Sequence, residues 1–446
     1  MSYVPHTEAD RAQMLRDIGV QSIAELFEDI PEHLRFPELR LPGPMSEQEI
    51  RARLAELAER NRHAGQLPSF LGAGAYNHYV PAVVGYINQR GEFLTAYTPY
   101  QPELSQGTLQ SIYEYQTMVC QIYDMEVANA SMYDGATALA EGALMSIGAT
   151  RRRKFVVAGT VHPAYRQVLA TYTAGLNVEI VEAPLAAGTL RVEPDAVRGL
   201  VEGAACVVVQ YPNFLGAIED LAAIGRIAHE AGALFVVSAY PIAMGLLKPP
   251  GHFDADIAVG EGQCLGAGLS YGGPYLGLLA CKQAFIRQMP GRLAGMTTDT
   301  GGTRGFVLTL QTREQHIRRE RATSNICTNQ GLIQLTATVY LALMGKEGLR
   351  ATAELCYQKA HYLAKRLAGV EGVEVLGGGP FFNEFVARLP RPAAAVNEAL
   401  VEAGFLGGYD LSGDYPDLGD AMLLCATELT SREDIDRFAE ALAQVL

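Results

Sequence analysis

The apolar residues near the start of the chain recur at the spacing of an amphipathic helix. Ile50, Leu54 and Leu57 are three or four residues apart, which places them on one face of a helix. Ser46 precedes them and opens a capping box, a pattern that satisfies the first backbone N–H groups of a helix. We therefore predict a helical arm over residues 1–65 that packs against another surface.

From about Gly135 the pattern changes to short apolar runs separated by helical stretches. The runs lie at 154–158, 177–181, 206–210, 233–237 and 257–259. Short, β-branched runs of this kind are typical of strands buried on both faces in a parallel sheet covered by helices. The run 276–281 follows a Gly-Gly-Pro break and is predicted to be an edge or antiparallel strand. Residues 66–330 are predicted to form a large α/β domain.

After residue 330 longer helical periods return. Two helices are predicted at 331–344 and 349–367. Three short strands follow, near 373–376, 384–387 and 421–427. A last amphipathic helix is predicted from Arg432 to Leu446. Residues 331–446 are therefore expected to form a small C-terminal α+β domain.

The composition indicates a folded protein and argues against nucleic-acid binding. Hydrophobic residues make up 49% of the chain and charged residues 19%, so the chain has enough apolar content to fold around a core. Its 35 Lys and Arg against 49 Asp and Glu give a formal net charge of −14. This balance argues against a general nucleic-acid binder, because such a protein needs a basic surface.

The cysteine pattern and the apolar stretches bear on location. Seven cysteines occur singly, with no CxxC pair, which fits a reducing cytoplasm. No apolar stretch approaches the roughly 18–20 residues that a membrane span needs, and the N-terminus lacks the pattern of a signal peptide. The nine histidines show no metal-ligand spacing. We expect a cytoplasmic protein with no metal site and no membrane partner.

A loop rich in hydroxyl, amide and proline groups follows at 95–107. It contains Tyr97, Thr98, Tyr100, Gln101 and Glu103. Its two prolines stiffen the backbone, and a stiff polar-aromatic loop is suited to lining a ligand pocket. The alternative is a loop whose hydroxyls are bonded to its own backbone.

Two further positions lie where a parallel sheet usually binds ligands. Asp134-Gly135 begins a helix of small residues, whose N–H groups could bind phosphate. Asp134 would repel such an anion and cap the helix itself, so a capped helix is the stronger interpretation. His162 follows a strand and is either a structural histidine or one that stacks on a ring or titrates.

The segment 311–329 is dense in arginine. On a helix, Arg318 would pair with Glu314 four residues before it, and this predicts an ion-paired, solvated face. The uncharged polar stretch 322–328 beyond it suggests an interface.

Lysine is scarce in this chain. The six lysines are Lys154, Lys248, Lys282, Lys346, Lys359 and Lys365. A mechanism that requires a lysine Schiff base must use one of these six.

Several of these motifs together resemble glycine dehydrogenase (decarboxylating), the P-protein family of the glycine cleavage system. They are Tyr97–Glu103, Tyr115–Cys120, Ala128–Ser131, Met289–Arg292 and Gln311–Thr328. The similarity extends along essentially the whole chain. Its length matches the N-terminal half of the family's single-chain form, so the resemblance implies the first of the two subunits of the split form.

The resemblance implies the fold-type-I, aspartate-aminotransferase-like architecture of pyridoxal-phosphate (PLP) enzymes. The family decarboxylates glycine with the help of PLP, transfers the aminomethyl group to the lipoyl arm of H-protein, and releases CO₂. In such a reaction the protein holds the ring, protonates its nitrogen and shields the carbanion. The implied partners are glycine, H-protein and the second subunit.

This chain departs from the requirements of that chemistry at three points. Gln263 or Cys264 stands where the Schiff-base lysine is expected, and Ser238 stands where an acidic partner for the pyridinium is expected. Asp134 lies in the phosphate turn, beside Gly135. We therefore expect a degenerate cofactor site around Asp134, Gly135 and His162, with PLP bound by the second subunit and no covalent cofactor here.

Active sites of this architecture lie at a dimer interface, so the inert chain can still contribute residues to the partner's site. The loop Tyr97–Glu103 is the first candidate, followed by Arg319, Thr323 and Asn325. Two other hypotheses remain open. One is a pseudoenzyme scaffold that stabilises the catalytic subunit and docks H-protein, and the other is a self-sufficient PLP lyase or aldolase that uses Lys248 or Lys282.

Overall fold

The computed structural model describes residues 5–94, 98–186 and 188–446. The chain divides into two compact units, with the division between Arg62 and His63. The thirteen α-helices of the described residues are α1 (Glu8–Ile18), α2 (Glu47–Ala58), α3 (Ala82–Asn88), α4 (Gly91–Leu94), α5 (Gln106–Tyr123), α6 (Gly135–Thr150), α7 (Pro163–Thr173), α8 (Pro194–Leu200), α9 (Leu221–Glu230), α10 (Gln315–Arg318), α11 (Gly331–Leu367), α12 (Ala393–Glu402) and α13 (Arg432–Val445).

The N-terminal unit contains the two helices α1 and α2. The side chains of Thr7 and Ser46 form capping boxes at their starts, and the predicted cap at Ser46 is confirmed. No residue between 5 and 62 is buried. Large apolar side chains, among them Leu26, Phe36 and Leu41, are exposed instead. This unit therefore has no core of its own within the described residues.

The described residues of the second unit form fifteen strands. They are β1 (Val127–Ala128), β2 (Lys154–Ala158), β3 (Glu179–Ala183), β4 (Leu185–Ala186), β5 (Arg191–Val192), β6 (Cys206–Tyr211), β7 (Leu234–Ala239), β8 (Ile257–Glu261), β9 (Gly277–Cys281), β10 (Leu293–Thr298), β11 (Arg304–Thr309), β12 (Glu374–Val375), β13 (Glu384–Arg388), β14 (Tyr409–Asp410) and β15 (Ala421–Cys425). Every strand predicted from an apolar run is present, with boundaries that differ by no more than two residues.

The large sheet has seven strands in the order β1-β9-β8-β7-β6-β2-β3. The neighbours from β3 to β8 pair in parallel, as the apolar runs predict. β9 pairs antiparallel with β8, which confirms the antiparallel alternative. On its other edge, β9 pairs antiparallel with β1. The central strands are buried almost throughout, because helices cover both faces of a sheet of this kind.

The C-terminal part differs from the prediction in one respect. The two predicted helices form the single element α11, which is interrupted at Gly345, where φ is 57° and ψ is −172°. Glycine adopts this backbone conformation without the steric cost that a Cβ would add. A four-stranded antiparallel sheet, β12-β13-β15-β14, packs a second apolar core against α11 and α13. None of the described helices is long and apolar enough to cross a membrane.

Candidate functional site

The carboxyl ends of the parallel strands form the edge at which open α/β sheets usually bind ligands. His162 follows β2, Ser238 lies near the end of β7, and Glu261 is the last residue of β8. α6 begins at Gly135 beside these strand ends. The sequence predictions at Gly135, His162 and Ser238 therefore converge on one place.

Glu261 occupies the start of α6 with its carboxylate. Its Oε2 accepts a hydrogen bond from the backbone N–H of Gly135 at 2.9 Å. Its Oε1 accepts from the backbone N–H groups of Gln263 at 2.9 Å and Leu276 at 3.0 Å. Burial raises the pKa of this carboxyl to about 7, although the three N–H donors act in the opposite direction. Asp134 caps α6 through the N–H of Thr137 at 2.8 Å, so the predicted cap is confirmed.

His162 stacks on the ring of Tyr165. The two ring centroids are 4.7 Å apart and the planes differ by 7°. Nε2 of His162 faces the carbonyl oxygen of Ala73 at 3.0 Å, so this nitrogen donates, and Nδ1 accepts from the N–H of Ala164 at 3.1 Å. Burial lowers the pKa of His162 to about 4. The imidazole is therefore neutral near pH 7 and fixed in one tautomer.

The space left among these groups is too small for a cofactor. The cavity lined by His162, Tyr165, Ser238 and Glu261 has a volume of about 30 Å³, whereas small-molecule sites usually measure roughly 300–1,000 Å³. None of the residues that line it is a lysine. The residues present do not fit PLP, because side chains of the chain itself fill the space.

The two residues at the expected lysine position are engaged elsewhere. Gln263 is buried, and its side chain accepts from the N–H of Tyr76 at 2.9 Å and donates to the carbonyl of the same residue at 3.0 Å. The Sγ of Cys264 is 3.8 Å from the carbonyl oxygen of Glu261. Burial raises the pKa of the Cys264 thiol well above its ordinary value. Neither residue can form a Schiff base.

Lys248 and Lys282 lie away from this edge. Lys282 follows β9, and the residue before it pairs with Ile257 at the amino end of β8. Its Nζ is 2.8 Å from Asp254 and 2.7 Å from Asp256. Lys248 contacts His252 at 3.0 Å in the loop that leads to the same end of β8. Both ammonium groups are therefore at the opposite end of the strand from Glu261.

A second group of predicted residues is collected around Arg292. This buried guanidinium donates to the hydroxyl of Tyr100 at 3.3 Å and to the carbonyl of Cys327 at 2.6 Å. The ring of Tyr100 also packs 5.6 Å from that of His316. Arg292 therefore joins the loop at 98–103 to the segment 314–329. Tyr97 lies outside the described residues.

The other loop residues face outward. Gln101 and Glu103 are exposed and Thr98 is partly exposed. Their side chains form no hydrogen bond within the part of the chain that the structure describes.

The segment 311–329 is not the ion-paired helix that the sequence predicts. Its only α-helical turn is α10, and Arg319 beyond it has φ of 53°. Glu314 is buried with its carboxylate 4.0 Å from Arg292 and 3.7 Å from His316. Arg313 is buried as well and donates to the carbonyls of Met289 and Gly291. The predicted pair of Arg318 with Glu314 is therefore wrong, because Glu314 turns into the protein.

Thr323 and Asn325 lie on the rim of an open cavity of about 450 Å³. Glu141, inside this cavity, accepts from the hydroxyl of Ser324 at 2.6 Å, and burial raises its pKa. The side chains of Arg319, Thr323 and Asn325 are exposed and have no hydrogen-bond or ion-pair partner among the described residues. These predicted residues are therefore available to a partner.

One cluster of possible metal-ligating groups occurs among the described residues. It consists of His78, Cys356 and Glu428, whose donor atoms lie within 4.8 Å of one another. Nδ1 of His78 is 2.6 Å from Glu428, and its Nε2 is bonded to the hydroxyl of Tyr240. The Sγ of Cys356 is 3.5 Å from Glu428. These groups satisfy one another as a hydrogen-bonded network.

Three residues of the two groups were missed by sequence reasoning: Tyr165, Glu261 and Arg292. Glu261 ends a buried strand two residues before the expected lysine position, and an acidic residue at the end of that strand is the signal for it in the sequence. Tyr165 stands three residues after His162, one helical turn away. Arg292 ends the Met289–Arg292 motif, but the motif alone does not indicate which groups this guanidinium contacts.

The chain is similar to known proteins over its whole length. The family model described as glycine cleavage system P-protein matches residues 1–442. The probable glycine dehydrogenase (decarboxylating) subunit 1 of Thermomicrobium roseum is 60% identical over 446 residues, which cover 100% of this chain and 99% of that protein. The Geobacillus kaustophilus protein of the same name is 53% identical over 442 residues, covering 99% and 98%.

Solved structures agree with this similarity. The crystal structure of glycine decarboxylase (P-protein) of the glycine cleavage system, in inhibitor-bound form, has a TM-score of 0.92 at 47% identity and covers 100% of both chains. Glutamate decarboxylase of Lactobacillus brevis has a TM-score of 0.69 at 13% identity, with 95% and 96% covered. The second likeness shows the fold alone. The architecture is the fold-type-I architecture of PLP-dependent transferases, as the resemblance implied.

Proposed function

Because the chain belongs to the glycine cleavage system P-protein family, we propose that it is the subunit of a two-subunit P-protein that carries no Schiff-base lysine. The complex decarboxylates glycine with PLP, transfers the aminomethyl group to the lipoyl arm of H-protein and releases CO₂. The second subunit, glycine dehydrogenase subunit 2, binds PLP. The complex works in the cytoplasm.

The observation that carries this proposal is the filled cofactor position. About 30 Å³ remains at the carboxyl edge of the sheet, and Gln263 is bound to Tyr76 where a lysine is required. PLP supplies the electron sink that decarboxylation of glycine needs. That chemistry must therefore come from another chain, and the name of the relatives, subunit 1, is consistent with a second subunit.

Two exposed segments support a contribution across the interface. Gln101 and Glu103 in the first segment, and Thr323 and Asn325 in the second, present polar side chains without partners in the described part of the chain. The buried guanidinium of Arg292 holds both segments through its hydrogen bonds to Tyr100 and Cys327. Polar groups held on a rigid support are suited to orient a substrate in a neighbouring site.

The N-terminal unit supports a permanent partner. Its apolar side chains are exposed along most of its length, and an extended apolar surface on a folded protein is typical of an interface. The second subunit binds to this surface.

The test is a reconstitution with purified components. The complete complex is expected to exchange labelled CO₂ into glycine in the presence of H-protein, and each subunit alone is expected to be inactive. Borohydride reduction followed by peptide mass analysis is expected to find the pyridoxyl group on the second subunit. A stoichiometric pyridoxyl adduct on Lys248 or Lys282 would instead support a self-sufficient PLP enzyme.

Variants of the loop at 95–107 distinguish this proposal from the scaffold hypothesis. Tyr97→Phe and Gln101→Ala in the reconstituted complex are expected to lower the exchange rate or to raise the KM for glycine. Gln444→Ala, an exposed glutamine on the last turn of α13, is the matched control. Unchanged exchange and unchanged H-protein affinity in both loop variants would leave only a scaffold role.

A further inference from the structure

The start of α6 is an anion-binding position that an anion of the same chain already occupies. The Glu261 carboxylate accepts N–H donors from Gly135, Gln263 and Leu276, which belong to three separate stretches of backbone. Free N–H groups and the dipole at the start of a helix favour negative charge. A carboxyl group therefore occupies this position, and it is covalently part of β8.

The space beside the His162 ring is also filled by a side chain of the same chain. Tyr165 stacks in parallel on His162, and its hydroxyl reaches the backbone of Gly135 so closely that a Cβ on this glycine would clash with it. Ring and carboxylate lie side by side, since that same Cβ would be 3.0 Å from the Cβ of Glu261. Together they fill the space between His162 and α6.

We propose that Glu261 and Tyr165 are built-in occupants of the degenerate cofactor site. The carboxylate takes the place of an external phosphate at the start of α6, and the phenol takes the place of a ligand ring on His162. They hold α6, the end of β8 and the backbone at Leu276 together without a cofactor. This inference rests on contacts within the chain, and it does not depend on the partner's role proposed above.

The inference predicts a latent phosphate site. If Glu261 is removed, three backbone N–H donors lose their acceptor, and unpaired buried donors destabilise the folded state. An external phosphate can then satisfy them. A carboxylate that merely anchors a turn would leave no site of this kind when it is removed.

The experiment compares Glu261→Ala with Glu384→Ala in the complex with the second subunit. Glu384 is the matched control, because it is also a buried carboxylate that accepts a backbone N–H, from Ala73 at 2.6 Å, but it is on β13 away from α6. Both variants are expected to melt several degrees lower. Inorganic phosphate at ~10 mM is expected to recover a few degrees in Glu261→Ala only, through binding to the folded state.

Sodium chloride at equal ionic strength is the solvent control, and broadening of the phosphorus resonance of inorganic phosphate is the second measurement. The double variant Glu261→Ala/Tyr165→Ala should respond at least as strongly as the single variant. If Glu261→Ala is not recovered as a soluble complex, Glu261→Ser, which also vacates the carboxylate position, replaces it.

Equal phosphate responses in the Glu261 and Glu384 variants, or a response of the wild-type complex as large as that of the variant, would overturn the inference. Exchange of CO₂ into glycine by the wild-type complex is measured in parallel. If the wild-type complex exchanges CO₂ but phosphate does not raise the melting temperature of Glu261→Ala, only this inference is refuted. If phosphate raises that melting temperature but the wild-type complex does not exchange CO₂, only the proposed function is refuted.

Discussion

The Nζ atom of Lys282 lies 2.7 Å from Oδ1 of Asp256, at the amino end of β8. Asp256 also accepts the backbone N–H of Phe235 at 2.8 Å and faces His229 at 2.9 Å. Burial lowers the pKa of Lys282, but its bonds to Asp254 and Asp256 outweigh this effect and raise it overall. A protonated amine held by two carboxylates is a poor nucleophile, so its role is structural.

Lys282→Ala is therefore expected to lower stability and to preserve activity. Loss of the cation from the buried Asp256 should cost about 1–3 kcal/mol, measured as a lower melting temperature of the complex. Glycine exchange should stay within about twofold of the wild type, because no transition-state contact is removed. Lys248→Ala, which breaks only an exposed contact, is the control. Abolished exchange in the Lys282 variant at a temperature where the complex is folded would contradict this assignment.

Gly135→Ala is expected to destabilise the protein through a clash with Tyr165. A Cβ at this position would meet the Tyr165 hydroxyl, and overpacking of a filled interior typically costs about 1–3 kcal/mol. Tyr165→Phe removes that hydroxyl, so the double variant should be more stable than the sum of the single changes predicts. Thermal unfolding of all four proteins measures this coupling. Additive effects would show that the two residues do not meet.

The buried carboxyl of Glu384 is expected to make stability depend on pH. Burial raises its pKa to about 7 from 4.5, against bonds from Tyr76 and Ala73. The folded state then holds the proton more tightly than the unfolded state. Its stabilising contribution is complete below 4.5 and is lost as the pH rises through about 7. The difference is on the order of 3 kcal/mol.

The melting temperature of the wild type should therefore fall as the pH rises from about 4.5 to about 7. The melting temperature of Glu384→Gln should fall less over this range, because the amide does not titrate. The raised pKa of Glu261 acts in the same direction, so part of the pH dependence of the melting temperature should remain. Glu398→Gln, on an exposed face of α12, should keep the full slope. A Glu384→Gln protein with the wild-type slope would show that this carboxyl does not titrate in that range.

Arg292 is expected to support activity indirectly through the segments that it joins. Arg292→Ala should destabilise the protein by about 3–5 kcal/mol if Glu314 remains a buried charge without its partner. Arg292→Ala/Glu314→Gln removes that charge and should recover part of the stability. Limited proteolysis should cut the segment 314–329 faster in both variants. Exchange that is unaffected in the double variant would show that this anchor is not needed for function.

The order of strands and helices was predictable because its signals are local. The doubly apolar runs of β6 and β7 and the cap at Ser46 depend on residues within one element. Strand boundaries were less certain, as in β3, which begins at Glu179 and was predicted from 177. The end of a strand depends on where its neighbour stops, which a single sequence does not display.

The candidate site was only partly predictable for the same reason. The absence of a lysine could be seen in the sequence, and so could Asp134 as a cap. The filling of the space by Glu261 and Tyr165 depends on residues 96 positions apart that meet only in the folded chain. The ion-paired helix predicted around Arg318 is wrong because Glu314 is buried beside Arg292, 22 residues before it in the chain, and does not face solvent.

The exposed N-terminal unit has a consequence for the abundance of the chain in the cell. Segments without buried residues are preferred targets of proteases, and nothing between 5 and 62 is buried. A copy that has found no partner is therefore expected to be degraded faster than one that has. If the chain works with a second subunit, as proposed, copies produced in excess are expected to be removed after translation, so that the two polypeptides accumulate in matched amounts even when their synthesis is uneven.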